Sequence, residues 1–423
     1  MPTRPRTPRR DLAAAIGAAL LLAACNPPAP SAVATPSTPP ATAAPGSPTP
    51  GASQASAQVY ASIRQSVEAI RGLRPTADVG PVTIDAQQLR TNLQTEFDKE
   101  NPAHELRFSE DALGLLGLLP SGSSLRDLTL DFQAGQVAGY YSPDRKELFV
   151  VSRSGGVGPA EEVTYAHEFT HQLTDQRFDL ARLGVDAANQ SDRALAQLAL
   201  IEGDAVSVQT TWTVQNLTPE EMGQLLQSAL DPEALAALQR APAYLRETAL
   251  FPYQDGLTFV SGLLASGGYD AVNAAYAKPP DSTEQVLHPE KYTRREAPRV
   301  VKIPKLFEPG LPAGWKALGE DTLGEFILRL WLTQGGVIPE QASTAAAGWG
   351  GDRLELYDSP NGTSLLLVTE WDTLGDASEF AAAAKAALPK LGLRGDVAFD
   401  ERSPSVFIAV GDDAGAITPR VFG

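Results

Sequence analysis

Hydrophobic positions in the first two thirds of the chain recur every three or four residues, which is the spacing of amphipathic helices. Residues 59–100 follow this pattern, and a shorter helix is predicted at 108–119, where Pro120 ends it. The same spacing returns from 191 to about 215 and again from 219 to 277. This part of the chain is therefore predicted to be mostly helical.

One stretch interrupts the helical spacing. Residues 136–141 and 147–151 are predicted to be two strands, because they flank a predicted turn at 142–144 and are rich in aromatic and β-branched side chains. A helix is predicted to follow at 159–179, with Pro159 at its start and acidic side chains in its first turn. A short hairpin is thus expected directly before a helix.

The end of the chain has a different pattern. After a proline-punctuated crossover at 300–312, helical and strand spacing alternate. Predicted helices are 323–333 and 377–388, and predicted strands are 353–357, 364–371, 397–400 and 406–410. Residues 349–353 are predicted to be a turn packed by a tryptophan. The fold class is α+β, with a mostly helical domain at 57–310 that carries the hairpin and a smaller α+β domain at 311–423.

The N-terminus has the composition of a secretory signal. Several arginines precede an apolar run at 12–24, which ends in small residues and is too short to span a bilayer as a helix. The sequence Leu-Ala-Ala-Cys at 22–25 resembles a bacterial lipobox, which implies that 1–24 is a removed signal and that Cys25 is lipidated. The alternative is a plain cleaved signal with an incidental cysteine. Since Cys25 is the only cysteine of the chain, no disulfide is possible.

Composition and charge narrow the possible partners. Residues 25–56 are rich in Pro, Ala, Ser and Thr and are predicted to be an extended tether. The chain has 51 acidic and 34 basic side chains and a formal net charge of −17, which disfavours nucleic-acid binding. Attachment to a bacterial cell membrane, on its extracytoplasmic side, is therefore expected to come from the lipid on Cys25. The sequence leaves the oligomeric state open.

The predicted helix at 159–179 contains the pattern H-E-x-x-H. His167 and His171 are four residues apart, so both imidazoles project from one face of the helix, and Glu168 lies beside the first. Two such histidines can bind Zn²⁺ while the glutamate acts as general base. The alternative is an amphipathic helix with two solvated histidines. The other face is apolar at Ala166 and Phe169, which would anchor the helix in a core.

A third metal ligand is predicted on the helix that follows. Glu202 shares a helix face with Leu195, Leu198 and Val206, so its carboxylate points toward the buried side, where it needs a cation. Asp204 lies about 200° around the helix and is a weaker candidate. The alternative is that Glu202 forms a salt bridge to a neighbouring helix.

These motifs resemble a known group of enzymes. HEFTHQLTD is similar to the H-E-L-T-H-x-x-T-D segment of thermolysin-type peptidases, and I-E-G-D-A resembles the E-G-x-A segment of related gluzincins. The resemblance implies a zincin-like domain that binds zinc through His167, His171 and Glu202, with Glu168 as general base. It also implies a strand edge beside the active helix that holds the substrate backbone.

The resemblance has one departure and one open assignment. Val206 stands where several gluzincins have an aspartate that orients a histidine ligand, so that partner is expected to be Asp175 or Asp204. A later segment of gluzincins supplies a His or Tyr that stabilises the oxyanion of the reaction, which implies His288 or Tyr292 here. The alternative for His288 is a structural histidine bonded to its own loop.

Two functions follow from these features. The first is a lipid-anchored, extracytoplasmic zinc peptidase that hydrolyses peptide bonds of a peptide or protein substrate. The second is a non-catalytic zincin-like scaffold that binds proteins or envelope components. The presence of Glu168 favours the enzyme, because a scaffold has no need of a base at that position.

Overall fold

The computed structural model describes residues 50–151, 157–184, 189–303 and 313–421. The predicted signal, the predicted lipidation site Cys25 and most of the predicted tether lie outside the described residues. The described chain is an α+β structure, with long helices and two separate sheets, which confirms the α+β class. Within it, no helix combines the length and the hydrophobicity needed to cross a bilayer.

Helices and strands follow one another along the whole described chain. The helices α1 to α15 are Pro50–Arg71, Ala86–Glu100, Ala103–Leu115, Leu125–Gln136, Pro159–Phe178, Ser191–Asn216, Pro219–Ala229, Pro232–Arg240, Ala243–Ala277, Thr283–Leu287, Pro289–Arg294, Gly324–Gln334, Pro339–Ala346, Leu374–Ala387 and Ala414–Val421. The strands β1 to β8 are Pro81–Ile84, Gly139–Ser142, Glu147–Val151, Lys316–Asp321, Trp349–Ser359, Gly362–Trp371, Gly395–Phe399 and Ser405–Gly411. Most predicted elements are confirmed, with shifted ends.

The first sheet has the order β1-β3-β2 and lies before α5 in the chain. The predicted hairpin is confirmed as the antiparallel pair β2–β3, in which Tyr140 faces Phe149. Strand β1 pairs with β3 in parallel and was not predicted, because the helical spacing of 59–100 was extended across it. A four-residue strand is too short to show its own period, and here its pairing with β3 decides its conformation.

The second sheet has the order β4-β5-β6-β8-β7, and every neighbouring pair in it is antiparallel. Its core contains the buried indoles of Trp331, Trp349 and Trp371, with α12, α13 and α14 packed on it. The prediction of a turn at 349–353 is wrong: these residues begin strand β5, where a bulge follows Trp349. Strand β4 and helices α13 and α15 were not predicted.

The predicted domain boundary near residue 310 does not separate two hydrophobic cores. Helix α3 and the residues after it place Leu113 and Leu116 in the core of the second sheet. The indole N–H of Trp331 donates to the Leu116 carbonyl at 3.0 Å, and both groups are buried. The C-terminal unit therefore shares its hydrophobic core with an early part of the chain.

Helix α6 is central to the helical part, since it packs against both α5 and α9. Gly203 lies at the contact of α6 with α9: a Cβ atom at Gly203 would lie 2.2 Å from the carbonyl oxygen of Gly256. A Cβ at Gly256 would likewise lie 2.3 Å from the Ala199 carbonyl oxygen. Two glycines thus bring the two helix backbones into direct contact.

The start of α6 is held by a buried side chain and not by a side-chain cap. The capping position is Gln190, which makes no side-chain hydrogen bond to the helix. The buried carboxylate of Asp192 instead accepts hydrogen bonds from the backbone and the hydroxyl of Thr283, at 3.0 and 2.5 Å. This side chain therefore joins α6 to the start of α10.

Candidate metal centre

Helices α5 and α6 bring the three predicted metal ligands together. The Nε2 atoms of His167 and His171 are 3.0 Å apart, and Oε2 of Glu202 lies 3.2 Å from the first and 3.4 Å from the second. All three side chains are buried. The two Nε2 atoms and Oε2 of Glu202 form a triangle, the ligand triangle.

The sequence explains how the triangle is held. On α5 the two histidines project from one face, while Phe169 and Leu173 on the other face pack in a core with Val67 of α1 and Leu148 of β3. The predicted apolar anchor of α5 is thus confirmed. Glu202 reaches the histidines because α6 crosses α5 with its predicted buried face toward them.

The triangle has the dimensions that one Zn²⁺ ion requires. Zinc binds His nitrogen and carboxylate oxygen at about 2.0–2.2 Å, so neighbouring ligand atoms of a tetrahedral site lie about 3.3 Å apart. The three edges of the triangle are 3.0, 3.2 and 3.4 Å. Two imidazoles and one carboxylate also suit zinc better than magnesium or calcium, which prefer oxygen ligands.

Charge distribution in the site fits a bound cation. Burial raises the pKa of Glu202, but the facing His171 and His167 outweigh this effect and bring it down to about 2, so the group is an anion. Its second oxygen, Oε1, is buried and has no hydrogen-bond partner among the described residues. A buried anion with an unused oxygen favours a positive ion beside it.

Glu168 has a different environment from Glu202. Burial raises the pKa of Glu168 and the charge of Glu202 adds to this effect, while His167 and the Tyr141 backbone amide lower it; the net result is a pKa of about 8. The side chain is fully buried one position after a triangle histidine. A carboxyl group with a pKa near neutrality can both accept and return a proton.

Gln209 orients His167 and was missed in the sequence. Its side-chain oxygen lies 2.8 Å from Nδ1 of His167, and the amide is buried on α6, two turns after Glu202. With Nδ1–H donating to this oxygen, Nε2 keeps its lone pair for a metal. The only signal in the sequence is the helical period, which places Gln209 two turns after Glu202, because Gln209 lies outside the H-E-x-x-H and E-G-x-A segments.

The two aspartates expected in this role have other partners. Asp175 accepts hydrogen bonds from the Tyr141 hydroxyl at 2.8 Å and from Nζ of Lys146 at 2.6 Å. Asp204 is buried with Arg71, whose Nε donates to it at 3.0 Å, and it also accepts from the Tyr276 hydroxyl at 3.0 Å. Both carboxylates therefore tie α5 and α6 to neighbouring elements.

The two predicted oxyanion residues also bond elsewhere. Nε2 of His288 lies 2.9 Å from a carboxylate oxygen of Glu325 on α12, not from its own loop. The Tyr292 hydroxyl donates to the Lys278 carbonyl at 2.8 Å, and its ring packs edge-on against Phe259. The structure thus does not bring these two side chains into contact with the ligand triangle.

A different tyrosine lies next to the triangle. The ring of Tyr253 on α9 is stacked beside that of His167, with 6.1 Å between the ring centres, and its side chain is buried. The sequence gave no sign of this, because Tyr253 lies inside a helix that was predicted only from its apolar spacing.

A second acidic group resembles a metal site but already binds a cation. The carboxylates of Glu284, Glu296 and Asp372 lie close together. Glu284 is on α10, Glu296 follows α11, and Asp372 follows β6. All three lie 2.5 to 2.9 Å from Nζ of Lys291. The lysine ammonium therefore supplies the positive charge that this group requires.

Comparison with known proteins covers only the C-terminal part. A family model described as a domain of unknown function (DUF8575) matches residues 313–420, which begins just before β4 and ends within α15. No curated protein matches the chain. The ligand triangle lies outside the matched residues.

Proposed function

We propose that this chain is a zinc-dependent peptidase that acts outside the cytoplasm from a lipid anchor on Cys25. The observation that carries the proposal is the ligand triangle of His167, His171 and Glu202, with Glu168 buried beside it. Three protein ligands leave the fourth position of a tetrahedral zinc site for water or substrate, as in catalytic zinc sites.

Each residue has a defined part in the proposed reaction. Zinc, when bound, supplies Lewis acidity that acidifies a water molecule and polarises a peptide carbonyl. Glu168 accepts the proton of the attacking water and returns it to the leaving amine. Gln209 holds the tautomer of His167. We assign the donor to the developing oxyanion to Tyr253, whose ring stacks beside His167, in place of His288 and Tyr292.

The edge of strand β2 supports a peptide as substrate. The Val151 N–H donates to the Ala138 carbonyl, and hydrogen-bonded pairs alternate along antiparallel strands, so the peptide groups of Gly139 and Tyr141 point away from β3. A Cβ atom at Gly139 would lie 3.5 Å from Cγ of Glu168, so the face of β2 at Gly139 lies against the general base. An extended peptide can add to such an edge through backbone hydrogen bonds.

The Glu168→Gln variant tests the proposal. It removes the base and keeps the shape, so we expect casein hydrolysis to fall by at least about 100-fold while zinc content is unchanged. Glu162→Gln, in the first turn of the same helix, is the control and should cleave like the wild type. Wild-type rates in Glu168→Gln would contradict the proposal, and a wild type that binds zinc but cleaves nothing would favour the binding scaffold.

A further inference from the structure

A cavity of about 340 Å³ lies beside the metal centre. Helix α6 contributes Leu198 to its wall and Glu202 to the triangle one turn later. Helix α9 contributes Tyr253, whose ring stacks beside His167. The cavity and the ligand triangle therefore share these two helices as a common wall.

The lining of this cavity is suited to an uncharged apolar group. Most of it is aliphatic or aromatic, and Asp321 is the only charged side chain among the described residues that line it. The Asp321 carboxylate already accepts hydrogen bonds from the backbone of Ser191 at 3.0 Å and of Thr322 at 2.8 Å. With no basic partner in the lining, an anionic ligand would lose its hydration without compensation.

The cavity wall comes from two distant parts of the chain. Phe97 and Phe132 belong to the helical part, whereas Leu323, Ile327 and Leu354 belong to the segment matched by the domain of unknown function. The volume falls in the range of pockets that bind small organic ligands. The C-terminal domain thus supplies one side of a ligand-sized apolar space next to the triangle.

We propose that the C-terminal domain is a substrate-recognition domain, and that this cavity binds an uncharged apolar side chain of the peptide substrate. The proposal rests on the proposed peptidase function for the identity of the ligand. It follows that the protein selects peptides with a large apolar residue near the triangle, since such a side chain removes its own surface and that of the cavity from water.

The test fills the cavity from each of its two sides. Ala249→Phe on α9 and Ile327→Phe on α12 add a ring to the lining, and Ala265→Phe adds the same ring at an exposed position of α9. Circular dichroism identifies the variants that fold. The uncharged fluorescent probe N-phenyl-1-naphthylamine then reports occupancy, and its displacement by capped, uncharged peptides reports specificity.

The proposal predicts a distinct pattern of binding. Filling from either side should weaken probe binding by at least about tenfold, whereas Ala265→Phe should bind like the wild type. The peptide acetyl-Ala-Ala-Phe-Ala-Ala-amide should displace the probe at a concentration at least about tenfold lower than the all-alanine peptide. Unchanged probe binding in a folded filled variant, or equal displacement by both peptides, would overturn the proposal.

Casein hydrolysis and peptide competition, measured on the same proteins, distinguish failure of this proposal from failure of the proposed function. If the phenylalanine peptide binds as expected but casein is not cleaved, recognition by the C-terminal domain stands and the peptidase activity fails. If casein is cleaved but the two peptides compete equally, the peptidase activity stands and the recognition proposal is overturned.

Discussion

At the scale of single residues, the candidate site is a group of buried polar side chains that satisfy one another's hydrogen bonds. His167 touches Glu202 and His171 through one nitrogen and Gln209 through the other. Because all of these side chains are buried, the loss of any one leaves a polar partner unsatisfied in a medium where that is costly. The buried amide of Gln209 is therefore as much a part of the candidate site as the three predicted ligands.

Replacing Gln209 should weaken the metal site without removing a ligand. In Gln209→Leu the Nδ1–H of His167 loses its acceptor, and we expect zinc affinity to fall about 10- to 100-fold. Gln209→Glu restores an acceptor and should recover most of the affinity. Gln215→Leu, exposed near the end of the same helix, is the control. Competition with a chelator gives the zinc affinities. Equal affinities in Gln209→Leu and wild type would contradict the role of Gln209 in orienting His167.

Part of the site could be predicted from the sequence, for a physical reason. The histidine pair and Glu202 follow from helical periodicity, which places residues three, four and seven apart on one face. Gln209 and Tyr253 could not be identified that way, because their proximity to His167 depends on how α6 and α9 cross. Likewise, the partners of His288 and Tyr292 come from tertiary contacts that no local pattern records.

At the scale of elements, the site depends on the spacing of α6 and α9. Gly203 and Gly256 let the two backbones touch, and Gly203 directly follows Glu202, the predicted third ligand. Any side chain inserted at this crossing must push the helices apart, and with them Glu202 and Tyr253. The geometry of the triangle is thus tied to two glycines that make no chemical contact with it.

A single methyl group at the crossing should have a measurable effect. Gly203→Ala places a Cβ atom 2.2 Å from the Gly256 carbonyl oxygen, so we expect a loss of about 1–3 kcal/mol in the free energy of unfolding and weaker zinc binding. Gly262→Ala is the control, because a Cβ there meets nothing within 4 Å, and it should be neutral or slightly stabilising. Urea unfolding compares them, and equal stabilities would contradict close packing at Gly203.

At the scale of the whole molecule, two sheets and a layer of helices are joined through shared cores. The α+β class was predictable because helical spacing dominates the first two thirds of the chain and alternates with strand spacing in the last third. The packing of the C-terminal domain on the rest of the chain was not predictable, because Leu113 and Leu116 from the early chain complete its core. This shared packing also creates the apolar cavity, whose two sides are about 200 residues apart in the chain.

The most direct test of the account is the zinc content of the protein from Pro50 to Gly423, purified as wild type, Glu202→Ala and the exposed control Glu220→Ala. The account predicts about one tightly bound zinc ion per chain in the wild type and the control, and its loss or marked weakening in Glu202→Ala. Absence of zinc from the wild type, or undiminished binding in Glu202→Ala, would contradict the three-ligand site on which the proposed function rests.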